Sequence, residues 1–144
     1  MNYKTFFHYL SYLQYPFLII ALYFYFLFIF SFKSGVEWAQ LNNMLVIMGL
    51  SISFSTLQDT NKVQNKLSKK VWENPKKGKA FILILSVSIF TTIVSGLIFF
   101  FNATDGALKE ISIGLIVFSI GMIGLLKTAI EMFENHRLDK KTIV

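Results

Sequence analysis

The chain has 144 residues and a formal net charge of +6, yet only 15% of it is charged, 54% is hydrophobic and sixteen residues are Phe. A soluble domain is about 25% charged; here the apolar residues lie in long uninterrupted blocks, which excludes an ordinary soluble fold and points to membrane spans, since crossing the hydrocarbon takes about 20 apolar helical residues. The lack of cysteine removes disulfides, thiolate nucleophiles and Cys-ligated metals.

In chain order, the first block is "PFLIIALYFYFLFIFSF", Pro16 to Phe32. Extended backward through "YLSYLQY", it predicts a span over about 13–32. Pro16 fits a first turn, where its missing N–H costs nothing, or else kinks a longer helix. The block exceeds a signal-peptide core in length, and "FSFKSG" offers no small-x-small cleavage pair, so it reads as a retained span. Apart from Ala21 it is large and aromatic nearly all round. That predicts a first helix at the periphery, facing lipid or another protein, while the other three pack tightly.

The second block, "WAQLNNMLVIMGLSISFSTL" at 38–57, is weaker, because Asn42, Asn43 and several serines interrupt it; it leans on its neighbours. The third, 80–101, is the clearest. The fourth, about 108–130, continues as a short extension to about 138. Each reads as helix, because in lipid only helices and closed barrels satisfy the backbone, and strand alternation is absent. The expected fold is all-α: a single membrane domain with four transmembrane helices in an antiparallel bundle.

Between the second and third spans lies "QDTNKVQNKLSKKVWENPKKGK", residues 58–79, with seven lysines and two acids. Positive residues in short loops stay on the cytoplasmic side. With this loop inside, both termini are inside as well, and twelve Lys and Arg face the cytoplasm against two, Lys33 and Lys109, outside. The expectation is a multi-pass protein of an inner (plasma) membrane. Val63, Leu67 and Val71 form an i, i+4, i+8 strip beside Trp72, flanked by Lys62, Lys66, Lys69 and Lys70 and followed by Lys76, Lys77 and Lys79. A helix of this layout lies on the inner leaflet, Trp72 at headgroup level and lysines on anionic lipid, or offers the same face to a partner. Alternatively the second span continues as one long helix that Pro75 ends, with Gly78 loosening the turn beyond it. Nucleic-acid binding ranks below both, because the positive-inside bias already accounts for the charge.

Within the spans the polar residues fall in arcs at 100° per residue: Asn42, Gly49, Ser53 and Thr56 on the second helix; Ser88, Thr92 and Ser95 with Gly96 on the third; Gly114, Gly121 and Thr128 with Gly124 nearby on the fourth. Small and hydroxyl residues let membrane helices approach closely, so packing is the first reading. The sharper one is a polar path, within one chain or at the centre of an oligomer. No Asp, Glu, Lys, Arg or His occurs in 16–32, 41–57, 81–101 or 111–126. Intramembrane ionisable groups mark proton coupling and ion sites, so a proton-driven pump is disfavoured and a neutral path stays open.

Nucleophilic catalysis requires a base beside the nucleophile. The two histidines, His8 and His136, lie near the chain ends, away from the intramembrane serines. Glu131 and Glu134 read as surface charges, and the five-residue step from Glu131 to His136 is a poor match to metal ligands on one helical face. No catalytic, cofactor or metal residue is assigned. The expected function is non-enzymatic: an accessory, assembly or regulatory subunit acting through lipid, another membrane protein or self-association. The rival is a small oligomeric channel, permease or membrane-permeabilising effector with a Ser/Thr/Asn-lined path.

Overall fold

A computed structural model describes residues 3–60 and 66–139, and every regular element among them is helical. The helices are α1 (Tyr3–Leu10), α2 (Gln14–Ser31), α3 (Trp38–Ser55), α4 (Lys66–Trp72), α5 (Pro75–Asn102) and α6 (Ala107–His136). Three stretches are long and apolar enough to cross a membrane: Thr5–Ser31, Pro75–Asn102 and Ala107–His136. The chain therefore has the build of a helical multi-pass membrane protein. α3, at 18 residues, reaches about 27 Å at a rise of about 1.5 Å per residue, and Gln40, Asn42 and Asn43 dilute its first turns.

α1 and α2 form one helical stretch joined by a 3-10 turn at Ser11–Leu13. Pro16 explains the turn: it has no N–H for the Tyr12 carbonyl, and its ring crowds that carbonyl, so the ladder tightens one turn upstream. The Gln14 N–H reaches both the Ser11 and Tyr12 carbonyls, and Ser11 Oγ donates to the His8 carbonyl at 2.6 Å.

Two antiparallel hairpins make up the fold. The first joins α2 to α3 through a turn in which Gly35, at φ +125°, takes a conformation that side-chain-bearing residues rarely adopt. Ser31 holds this turn: its Oγ accepts the Glu37 N–H at 3.1 Å, and its carbonyl accepts the Gly35 N–H at 3.0 Å. At the far end Ser51 Oγ donates to the Gln14 carbonyl at 2.8 Å, and Phe17 stacks on Phe54 at 5.3 Å. The second hairpin joins α5 to α6 through Gly106, at φ +86°. Lys109 closes it, donating to the Phe100 carbonyl at 2.5 Å while sitting 4.5 Å from the Phe100 ring centroid.

The hairpins meet along α3 and α6, which run parallel, giving a spatial order α2–α3–α6–α5. α2 packs on α3, α3 on α6 and α6 on α5, whereas α3 and α5 are not close neighbours. The three later helices thus pack as a chain with α6 in the middle. α2 lies at one edge of the row. The reason for the order lies in the glycines, which permit close approach to α6 from both sides: Gly49 of α3 against Gly121 of α6 on one side, and Gly96 of α5 against Leu115 and Ile116 of α6 on the other.

The segment after α3 also differs from expectation. Pro75 begins α5 instead of ending a preceding helix. Asn74 caps the new helix, its Oδ1 accepting from the Lys76 and Lys77 N–H groups at 3.0 and 3.2 Å, and Pro75 at the first helical position sacrifices no bond. α5 therefore starts five residues ahead of the apolar block, and Lys76, Lys77 and Lys79 lie on its first turns. Gly78 is buried within it, against the Phe133 ring, and loosens nothing.

The buried apolar cluster sits at this end of the molecule: Trp72, Leu85, Ile89, Ala129, Met132 and Phe133. Beside it, Leu138 after α6 donates its N–H to the Glu73 carbonyl at 3.2 Å, and His136, the last residue of α6, places Nε2 3.2 Å from the Thr60 carbonyl oxygen. Outside this cluster most large apolar side chains of α2 and the outer face of α5 are exposed, which suits hydrocarbon as the surrounding solvent.

Candidate functional site

Two features stand out: the seam between α3 and α6, and a cavity at the end of that seam nearest the basic segment.

The seam has a seven-residue register. Asn42 meets Gly114, its Oδ1 accepting the Gly114 N–H at 2.7 Å. One heptad on, Gly49 and Gly121 bring the backbones together: a Cβ on Gly121 would overlap the Gly49 carbonyl oxygen, and a Cβ on Gly49 would lie 2.8 Å from the Val117 carbonyl oxygen. One heptad further, Thr128 Oγ1 donates to the Thr56 carbonyl at 3.5 Å and to its own-helix Gly124 carbonyl at 3.1 Å. Glycine at the central contact allows close helix approach, and the flanking polar pairs fix the register.

The seam takes in Asn42, Gly49, Thr56, Gly114, Gly121 and Thr128. Ser53, from the same arc, donates to the Gly49 carbonyl within its own helix at 2.9 Å. Ser88, Thr92 and Ser95 lie apart from it on α5, half-buried; Thr92 Oγ1 bonds the Ser88 carbonyl at 2.7 Å. The structure does not bring the α3 and α5 arcs together around one space, because α6 stands between them. Two residues escaped the sequence reading: Ser112 and Ser119, each 0% exposed, donate to the Lys109 and Leu115 carbonyls at 2.7 and 2.6 Å. Their seven-residue spacing was the available signal.

At the basic end, Trp72 was expected at headgroup level but is only 9% exposed. Its indole N–H donates to Ser68 Oγ at 2.8 Å, and its ring meets Phe81 edge-on at 5.3 Å. The short α4 is held against α5 and α6, which puts its tryptophan inward. Lys69, Lys70, Lys76, Lys77 and Lys79 are exposed, with Lys69 3.6 Å from Glu73. Lys62, Val63 and the side chains of Lys66 and Leu67 lie outside the described residues. Lys127 pairs with Glu131 at 3.3 Å on its own helix, its side chain 79% exposed. Among the described residues, no three His, Asp or Glu gather in a metal-holding group.

The cavity, about 340 Å³, lies where α2, α3, α4, α5 and α6 converge. Gln14, Gln58, Asp59 and Thr60 contribute its polar wall, and Trp72, Phe81, Leu125 and Met132 its apolar one. A second hollow, about 260 Å³, lies between α2 and α3 and is lined by Leu18, Ala21, Leu22, Tyr25, Met44 and Met48.

No protein-family model matches the chain, and no curated protein or solved structure matches it. The residues themselves carry the functional reading, and they define a helical multi-pass membrane protein.

Proposed function

We propose that this is a four-span, non-enzymatic membrane protein that works through contacts with another membrane protein or a second copy of itself. In this reading α3 crosses with the other three, sheltered between α2 and α6, and the basic segment and both termini face the cytoplasm of an inner membrane. Twelve of the fourteen Lys and Arg residues then lie inside, as the positive-inside bias favours. The exposed lysines of α4 and α5 would meet anionic lipid.

The observation that carries the contact reading is on α2. Among the described residues this helix packs chiefly on α3, and Tyr23 and Tyr25, near its middle, are 59% and 43% exposed. A phenolic hydroxyl at mid-depth in hydrocarbon has neither water nor lipid to bond. A neighbouring helix would supply the acceptors. In a mild detergent, the native protein is expected to migrate as a complex heavier than one 16.6 kDa chain in its micelle. Tyr23→Phe with Tyr25→Phe is expected to shift it toward the single chain. A native-state mass of one chain, unchanged by the double variant, would count against the reading.

The rival channel reading draws on Ser88, Thr92 and Ser95, half-buried on α5, the helix at the other edge of the row, where a neighbour in an oligomer would complete a path. Ser88→Ala and Thr92→Ala separate the two. Liposome flux that changes while expression holds would favour a path; silent liposomes with both sequences favour contact.

A further inference from the structure

We propose that the partner of this chain is a second copy of itself and that the contact is head to tail: the outer face of α2 in one copy packs on the hydroxyl-lined flank of α5 in the next. The inference rests on the contact reading above and names the partner and both surfaces.

α2 and α5 are the two edges of the row. On α2 the outward side chains are large: Ile19, Tyr23, Phe26 and Phe30 are 68%, 59%, 53% and 67% exposed, at steps of three and four residues that keep them on one face. On α5 the same steps run through Ser88, Thr91 and Ser95, and here the side chains are small, Thr91 exposed and the two serines half-buried. Two α2 faces would set ring against ring. Small hydroxyl residues instead let a second membrane helix come close and bond across the contact.

The heights match as well. α2 and α5 run in the same direction, because each pairs antiparallel with one of the two parallel helices α3 and α6. Copies in one bilayer therefore meet with these helices parallel. Tyr25 shares a hollow with Met44 of α3, the pairs Asn42–Gly114 and Gly49–Gly121 set Met44 level with Ile116, and Ile116 meets Gly96 of α5. Tyr25 is thus level with Gly96. Helical side chains lean toward the N-terminus, which carries the Tyr23 hydroxyl toward the level of Thr91. Thr91 Oγ1 donates to the Val87 and Ser88 carbonyls, each at 3.0 Å, and its lone pairs remain to accept the phenolic proton. The chain thus carries on one edge the acceptors that the tyrosines of the other edge require.

A head-to-tail contact repeats from copy to copy, and disulfide linking reads it. Phe26 and Ile98 lie on the two faces within about 2 Å of the same height. Within one copy they sit at opposite edges of the row, whose helix axes are about 8–10 Å apart at each step, beyond the Cα separation of about 7 Å that a disulfide spans. The native chain has no cysteine to interfere. Phe26→Cys with Ile98→Cys in one chain, oxidised with copper phenanthroline in native membranes, is expected to give a ladder of dimers, trimers and larger forms. Either cysteine alone is expected to give no dimer, and Phe26→Cys with Leu83→Cys, exposed on α5 at another depth, no ladder. Tyr23→Phe added to the linking pair is expected to reduce the ladder about threefold or more, the effect of one hydrogen bond between membrane helices. Dimers from Phe26→Cys alone would place α2 against α2 and overturn the proposal. So would linking through Leu83→Cys, or a ladder that Tyr23→Phe leaves unchanged. Absence of the ladder overturns it too, and the native mass then separates two failures: a heavy complex leaves the contact reading with a different partner, whereas a single chain removes both.

Discussion

Gly121→Val is expected to disrupt the α3–α6 seam and to cost the purified protein about 2–3 kcal/mol or more, the scale of forced overpacking. The magnitude follows from what the new side chain meets. A Cβ at 121 would run into the carbonyl oxygen, carbonyl carbon and Cα of Gly49, all of them backbone atoms of a helix held on its other side by α2. No side chain can swing aside, so relief requires the two helices to separate. Separation would lengthen the 2.7 Å bond from the Gly114 N–H to Asn42 Oδ1 and leave a polar amide in a low-dielectric setting. Gly124→Ala serves as the control. Its nearest neighbour would be the Thr56 Cγ2 methyl at 3.1 Å, the end of a side chain, and it is expected to be far milder. Thermal unfolding in detergent, followed by circular dichroism, reads both; equal midpoints for the two variants would show that the seam does not hold the hairpins together.

Phe133→Ala is expected to be of similar or greater effect, about 3–5 kcal/mol, the usual cost of emptying an aromatic site in a packed core. Phe133 is 4% exposed, lies in the cluster with Trp72, Leu85 and Met132, and presses on Gly78 across the α5–α6 contact. Its loss would free the first turns of α5 and the short α4 together. Loss of packing around Trp72 is expected to shift its emission to the red. The same contact predicts a coupling: Gly78→Ala places a methyl where the Phe133 ring now lies, and Phe133→Leu makes room for part of it. The double variant should therefore be more stable than the sum of the two single losses predicts. Strict additivity in that cycle would contradict the packing described.

The helical blocks and their polar arcs could be read from residue types, because hydropathy over 20 residues and a 100° step are local properties. Asn42, Gly49 and Thr56 share an arc in the sequence for the same reason they share a seam in the structure. Which helix that arc meets is not a local property. The match 42 to 114, 49 to 121 and 56 to 128 depends on a pairing across 72 residues, and the sequence shows the two patterns without showing that one faces the other. The order α2–α3–α6–α5 was hidden for that reason.

Pro75 and Trp72 illustrate a different failure. Proline both ends and begins helices, and Asn74 immediately before it was the signal for a beginning, since an Asn cap followed by proline at the first position is a favoured start. Reading Trp72 as interfacial followed from its lysine neighbours. It overlooked that a seven-residue α4 is too short to be stable alone and must bury something to stay folded; its indole is what it buries. The cavity could not be foreseen either, because Tyr15, Asp59, Trp72 and Met132 come from four separate parts of the chain.

The central claim is that four helices cross the membrane with the basic segment and both chain ends on one side. The chain has no cysteine, so each introduced cysteine is a unique label. Ser34→Cys, Asp105→Cys, Lys77→Cys and Asp139→Cys, treated in intact cells with a membrane-impermeant maleimide, test the claim most directly. The account predicts labelling at 34 and 105 from outside, and labelling at 77 and 139 only after the membrane is opened. Labelling of 34 and 77 from the same side would mean that α3 does not cross, and would contradict it.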